Sequence, residues 1–189
     1  FTLQTESWLV GLQSEYLLNE PLGQTHMMGV RFRPGGFYAF HKLPAHELHN
    51  QIVPLESLWG SFATQVRECL LTERSLEARF ALLERLLRSR LDAHGQGLAI
   101  VQAVVKALAE QNGAVPIHTL SEDFGVSHKH LISQFKLMVG VTPKALAKIY
   151  RLQHVLHDIN PGGPMNWAEV AYAADYYDQA HFNHEFAAF

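Results

Sequence analysis

Apolar residues in the C-terminal half of the chain recur at helical spacing, and the pattern occurs twice. In TLSEDFGVSHKHLISQFKLMVG, which begins at Thr119, a short helical stretch runs into Gly125. Ser127 then opens a second helix with Leu131, Phe135 and Met138 on one side. Gly125 suits a tight turn because glycine takes positive φ cheaply. The Ser127 hydroxyl can accept a free N–H of the first turn. The second copy, WAEVAYAADYYDQAHFNHEFAAF, predicts a helix over Trp167–Ala174 and a turn over Asp175–Tyr177. A helix capped by Asp178 follows, with Phe182, Phe186 and Phe189 on one side. A short helix, a tight turn and a longer amphipathic helix make a helix-turn-helix. Between the copies, VTPKALAKIYRLQHVLHDI predicts one long helix with an apolar stripe of Leu146, Ile149, Leu152, Leu156 and Ile159. Thr142 caps it, Pro143 takes the first position, and Pro161-Gly-Gly-Pro164 stops it.

The 17 residues from Pro143 to Ile159 would span about 25 Å. A rod of that length can hold two recognition helices about one DNA turn, ~34 Å, apart once side packing is allowed for. Duplication and spacing therefore point to double-stranded DNA. The segment resembles the DNA-binding domain of the AraC/XylS family of transcriptional regulators. The resemblance rests on Gly125-x-Ser127-x-x-x-Leu131-x-x-x-Phe135-Lys136, Gly140-Val141-Thr142-Pro143 and Arg151-Leu152. Ala171 and Asp178-Gln179-Ala180-His181-Phe182-x-x-x-Phe186 complete it. It implies a sequence-reading regulator that works without a cofactor. The positions matching the family's readers are Lys129, Ile132 and Ser133, with His128 and Lys136 nearer phosphate. In the second copy they are Gln179, Ala180, Asn183 and His184, with His181 adjacent. Gln179 and Asn183 can pair bidentately with adenine, and Ile132 can meet a thymine methyl. Two family features differ here: arginine is common at the positions of Ser133 and His184, and glycine at that of Asp175. Leu131, Phe135, Val155, Phe182 and Phe186 are expected inside.

The first half reads differently. Ser7-Trp-Leu-Val-Gly-Leu12 and His26-Met-Met-Gly-Val-Arg-Phe-Arg33 predict two strands, ended by Arg33-Pro-Gly-Gly36, with Trp8, Val30 and Phe32 facing a core. Helices follow from Pro54 to Leu91. One apolar stripe comprises Phe62, Val66 and Leu70, and a second Leu76, Phe80, Leu83, Leu87 and Leu91. This half resembles the tail of the β-rich sensor domain that some AraC-type regulators carry, on the basis of Gly29-Val-Arg-Phe-Arg-Pro-Gly-Gly36 and the helices after it. That implies a small-molecule effector upstream and, through the helix pair, a homodimer; packing of those leucines within their own domain is the equal alternative. Asp92-Ala-His-Gly-Gln-Gly97 reads as a linker. Leu98, Val101, Val104, Val105 and Leu108 then open the next domain, whose first helix ends at Asn112-Gly113. The expected architecture is mainly α (α+β overall). Residues 1–94 would be the incomplete C-terminal part of a sensor and dimerisation domain. Residues 97–189 would be an all-α DNA-binding domain, two helix-turn-helix motifs joined by a long helix, lacking its last helix. Both ends are expected to be cut.

Composition adjusts this picture at three points. Charged residues are only 17% and hydrophobic ones 48%, a globular balance. No run approaches the ~20 apolar residues of a membrane span, so the expected setting is the cytoplasm. The single cysteine, Cys69, excludes a disulfide framework and is expected in a core. Residues 100–189 carry 6 Lys+Arg against 8 Asp+Glu, a net of −2, although phosphate neutralisation favours a basic domain. Seven of the 12 histidines lie in that half and could offset part of the deficit. The deficit motivates an alternative, a protein-interaction module that kept the fold and lost strong DNA affinity. RNA polymerase is a further partner implied for a regulator. His46-x-x-His49, beside His41 and Glu47, and the pairs His154/His157 and His181/His184 have the i, i+3 spacing of shared metal ligands. A carboxylate could complete the first, but no cysteine or second histidine pair stands at ligand spacing there, and no carboxylate or thiol converges on the other two, so no metal site is assigned. An enzyme is not expected: no nucleophile–base grouping, phosphate-binding glycine loop, HExxH or CxxC is present.

Overall fold

A computed structural model of the chain describes residues 7–15, 17–18, 26–92, 97–158 and Phe182. Among these residues the fold is mainly α, with seven helices and one two-stranded antiparallel sheet. The strands are β1 (Trp8–Val10) and β2 (Ile52–Pro54), with Leu9 opposite Val53. Two 3-10 turns lie between them, Gly36–Ala39 and Ala45–Leu48. Then follow α1 (Leu55–Trp59), α2 (Ser61–Thr72), α3 (Leu76–Arg90), α4 (Leu98–Glu110), α5 (Ile117–Asp123), α6 (His128–Met138) and α7 (Pro143–Asp158).

The strand expected at 26–33 does not form; that stretch is irregular. A strand needs a hydrogen-bonded partner, and β1 takes β2 instead. Trp8 and Val30 are exposed, not core as expected, while Phe32 is half-buried against the rings of Phe37 and Phe40.

The helices after β2 form where the apolar period places them, but α3 turns a different side inward. Leu82 is buried, whereas Leu76 and Phe80 of the expected stripe are 61% and 59% exposed. The Ser75 hydroxyl caps α3 by accepting from the Ala78 N–H (3.1 Å). Cys69 is exposed, not in a core; α2 packs through Ala63 and Val66, and Cys69 falls at the edge of that face.

Val101, Val104, Leu108, Leu120, Leu131, Phe135 and Leu146 form the main core, each almost fully buried. Every residue of the expected α4 stripe is in it. Gly113 closes α4 with its N–H on the Leu108 carbonyl (2.8 Å) at a φ of 77°. A Cβ there would lie 2.1 Å from the Ala147 carbonyl oxygen, so only glycine lets α7 come so near. Thr142 caps α7, its hydroxyl accepting from the Ala145 N–H (3.2 Å), and Pro143 behind it is fully buried. Val155 and Phe182 are inside as expected, while Leu156 faces solvent, because the buried side of α7 runs through Leu146, Ala147 and Val155. Ile159, Phe186 and the rest of the second helix-turn-helix lie outside the described residues.

Packing also crosses the expected linker. Ala39 lies within the main core, and its carbonyl accepts the Asp92 N–H (2.7 Å). Phe37 stacks on Trp59 (6.0 Å between centroids, 22°), and the Arg90 guanidinium lies over Trp59 and Phe62. Burial, with the charge of Arg90, holds the neighbouring His41 below its usual pKa.

Candidate nucleic-acid interface

The first helix-turn-helix is set by its turn. Gly125 takes a φ of 63°, the N–H of Gly125 bonds to Glu122 and that of Val126 to Ser121, each at 3.0 Å. These two bonds satisfy the last carbonyls of α5 and redirect the chain within three residues. Ser127, in extended conformation, then accepts the His130 N–H (3.2 Å) and starts α6. Leu131, Phe135 and Met138 pin α6 to the core.

At about 100° per residue, positions 128, 132, 136, 129 and 133 fall in that order on one arc of α6; 129, 133 and 136 point away from the buried row, and 128 and 132 border it. His128, Lys129, Ser133 and Lys136 are exposed, and Ile132 is half-buried. The five positions expected to read DNA from the first copy thus share one outward side of an anchored helix. Gln179, Ala180, His181, Asn183 and His184 lie outside the described residues. Phe182, between them, is helical and 1% exposed.

Electrostatics favour an anion at this surface. From Gly125 to His157 the chain carries Lys129, Lys136, Lys144, Lys148 and Arg151 and no aspartate or glutamate. The acidic residues that make residues 100–189 net negative lie outside that run, at Glu110, Glu122, Asp123, Asp158 and beyond, with exposed Glu122 and Asp123 directly before the turn into α6. Exposed Lys144 and half-buried Lys148, one turn apart on α7, extend the basic character. Sequence reading by family position left these two out, although the run of basic residues without acids was visible. The N-terminus of α6, with no acidic residue in its first turn, adds the positive end of a helix dipole.

Of the histidines weighed as metal ligands, His46 and His49 meet different partners, and His181 and His184 lie outside the described residues. His46 Nδ1 donates to the Lys136 carbonyl oxygen (3.3 Å), while His49 Nε2 meets the Ser14 hydroxyl (3.1 Å). Among the described residues no group of three or more His, Cys, Asp or Glu is placed to hold a metal ion.

These features are those of a helix-turn-helix, and comparison with known families agrees. Residues 120–189 match the family model described as a helix-turn-helix domain, and residues 1–54 match a domain of unknown function (DUF6597). The C-terminal part of the chain is therefore an AraC-type helix-turn-helix domain, and the two matches together are consistent with an AraC/XylS-type regulator. The helix-turn-helix match supports DNA as a partner, and proteins of the matched family are DNA-binding regulators and not enzymes. Searches of curated proteins and of solved structures find no match. No helix among the described residues is long and apolar enough to cross a membrane.

Proposed function

We propose that this chain is a sequence-specific transcriptional regulator reading the major groove with two recognition helices about one DNA turn apart. One observation carries the reading. The outward side of α6 brings His128, Lys129, Ile132, Ser133 and Lys136 together within a run, Gly125 to His157, that is basic without an acidic residue. In this reading Lys129, Ile132 and Ser133 face base edges, while His128 and Lys136 hold phosphates. Gln179 and Asn183 read adenines from the second helix, with Ala180, His181 and His184 beside them. The length of α7 supports the spacing: 16 residues from Pro143 to Asp158 give about 24 Å of rigid rod.

The N-terminal region, matched to a domain of unknown function at residues 1–54, would carry the effector site. The boundary between it and the DNA-binding domain would fall at the 92–97 linker. The exposed Leu76 and Phe80 on α3 supply an apolar surface that a second copy would cover. RNA polymerase and a cytoplasmic setting belong to the same proposal.

Fluorescence-anisotropy titration of the full chain against its own promoter and a scrambled duplex, at 50 and 200 mM salt, tests the reading. The expected result is promoter preference with salt-sensitive affinity. Lys136→Ala should weaken both duplexes alike and flatten the slope of log K against log salt by about 0.9. Gln179→Ala should lower the promoter preference and leave the slope unchanged. Absence of binding at 50 mM salt would refute the regulator and leave an interaction module on a helix-turn-helix fold.

A further inference from the structure

The recognition helix does not end in solvent. Its last turn meets a segment far away in sequence, the 3-10 turn Ala45–Leu48. The final carbonyls of a helix lack intrahelical partners and need one from elsewhere. Here the Gly140 N–H, which continuing helix would bring to the Lys136 carbonyl, reaches back to Phe135 (3.0 Å). The Val139 N–H goes to the same Phe135 oxygen (2.8 Å). Lys136 is left with an open carbonyl, and His46 Nδ1–H fills it at 3.3 Å. The contact depends on a glycine: a Cβ on Gly140 would stand 2.8 Å from the Ala45 carbonyl oxygen.

The far side of the same turn is bound to the N-terminal strand region. His49 Nε2 meets the Ser14 hydroxyl (3.1 Å), and Asn50 Oδ1 accepts the Ser14 N–H (2.8 Å). The Asn50 N–H donates to Leu12 (3.0 Å), and the Gly11 N–H to Gln51 (2.9 Å). Two histidines three residues apart thus face two different structures: His49 holds the loop after β1, and His46 holds α6. The turn lies within residues 1–54 and α6 within 120–189, so the two matched domains touch directly at the reader.

We propose that the turn Ala45–Leu48 is the element through which the N-terminal region governs the recognition helix, with His46 as its positioning residue. The inference rests on the reading of α6 as a DNA reader, but the contact itself is testable without DNA. A change around Ser14 alters the placement of the turn. The Lys136 carbonyl then loses or regains its donor, and the last turn of α6, which carries Lys136, loosens or tightens. Linkage makes the effect reciprocal, so DNA held by α6 stiffens the Leu12–Asn50 contact in return.

Amide hydrogen exchange on the full chain decides it. His46→Ala should speed exchange at Val139 and Gly140 about fivefold, the equivalent of one neutral hydrogen bond. His46→Asn, whose amide nitrogen can take the place of Nδ1, should keep most of the protection. Ser14→Ala touches nothing in α6, and it should still speed exchange at Gly140. Unchanged Gly140 exchange in His46→Ala would overturn the proposal. So would a Ser14→Ala response confined to Asn50 and Gln51, since that is all a purely local role would move. Thermal unfolding of each variant shows that the fold persists. In a second arm, a mixed-sequence duplex at 50 mM salt should slow exchange at Asn50 in the wild type and not in His46→Ala. Equal slowing in both would overturn the coupling. If the wild type does not bind the duplex, the DNA-reading assignment fails while the DNA-free exchange still decides the contact.

Discussion

Gly113 and Gly125 form a matched pair that isolates the close approach of α7 to α4. Both adopt positive φ, 77° and 63°, so alanine meets a comparable backbone penalty of about 1 kcal/mol at each. Their surroundings differ. An added Cβ at Gly125 would meet nothing within 4 Å, whereas at Gly113 it would stand 2.1 Å from the Ala147 carbonyl oxygen and 2.9 Å from its carbon. That obstacle is helix backbone, which cannot rotate aside as a flexible side-chain tip could, and overpacking of this kind adds about 1–3 kcal/mol. Gly125→Ala should therefore cost about 1 kcal/mol and Gly113→Ala about 2–4 kcal/mol. For a chain of this length about 1 kcal/mol lowers Tm by roughly 2–4 °C, and Gly113→Ala should lower it two to four times as far as Gly125→Ala. Circular-dichroism melts of the two variants beside the wild type read the difference. Equal shifts would show that Gly113 serves only its own φ, and the argument that it spaces α7 would be wrong.

Three further outcomes follow from particular contacts. Ser127→Ala removes the acceptor of the His130 N–H and should destabilise the chain by about 1 kcal/mol in urea titration, with Ser127→Asp recovering most of it. Phe135→Ala, at a fully buried position, should cost about 3–5 kcal/mol; a loss below about 1 kcal/mol would mean that α6 is not anchored there. His41 has a lowered folded-state pKa, through burial first and Arg90 second. Its contribution is therefore complete above the unfolded value of 6.5 and falls away as pH drops through the lower folded value, because the unfolded chain takes up the proton first. Tm should fall between pH 7.5 and 5.5 less steeply in His41→Gln than in the wild type, and identical profiles would remove His41 as the cause.

The C-terminal helices were legible because their signals are local. The α4 stripe from Leu98 to Leu108, the Gly125 turn and the caps Ser127 and Thr142 each act within a few residues, and all appear as read. Residues 26–33 misled because alternation describes a strand only where another backbone accepts its hydrogen bonds, and that choice is non-local. Helix α3 misled for another reason. Leu76, Phe80, Leu82, Leu83, Leu86 and Leu87 spread over an arc of about 160°, so periodicity left open which part of that arc faces inward, and α3 packs against α2 with Leu82 buried. The contact of His46 with Lys136 joins positions 90 apart, and nothing near either residue announces it. Gly140 was noticed as a family element, but the reason for it, the approach of Ala45, needed the structure. At the candidate interface the outward placement of the α6 positions followed from helical geometry alone; what each side chain touches on DNA did not.

The charge balance first stood against DNA binding, and its distribution reverses part of that weight. Net charge over residues 100–189 is −2, but free energy at a phosphate depends on charges within about a Debye length, ~8–10 Å at physiological salt. Around the first reader the run from Gly125 to His157 offers Lys129, Lys136, Lys144, Lys148 and Arg151. Two acids, Glu122 and Asp123, adjoin it at the end of α5, and the others lie outside the run. In the proposed reading such an arrangement would attract the backbone locally while keeping the whole domain from binding any polyanion strongly. Few phosphate contacts mean weak non-specific affinity, since that term is almost entirely counterion release. Base contacts then supply a larger share of the total, while discrimination between sites, a difference between two affinities that share the phosphate term, is unchanged as absolute affinity falls. The acidic surroundings are therefore compatible with a reader that depends on its sequence contacts, and they make the correct placement of α6 matter more than it would on a strongly basic surface.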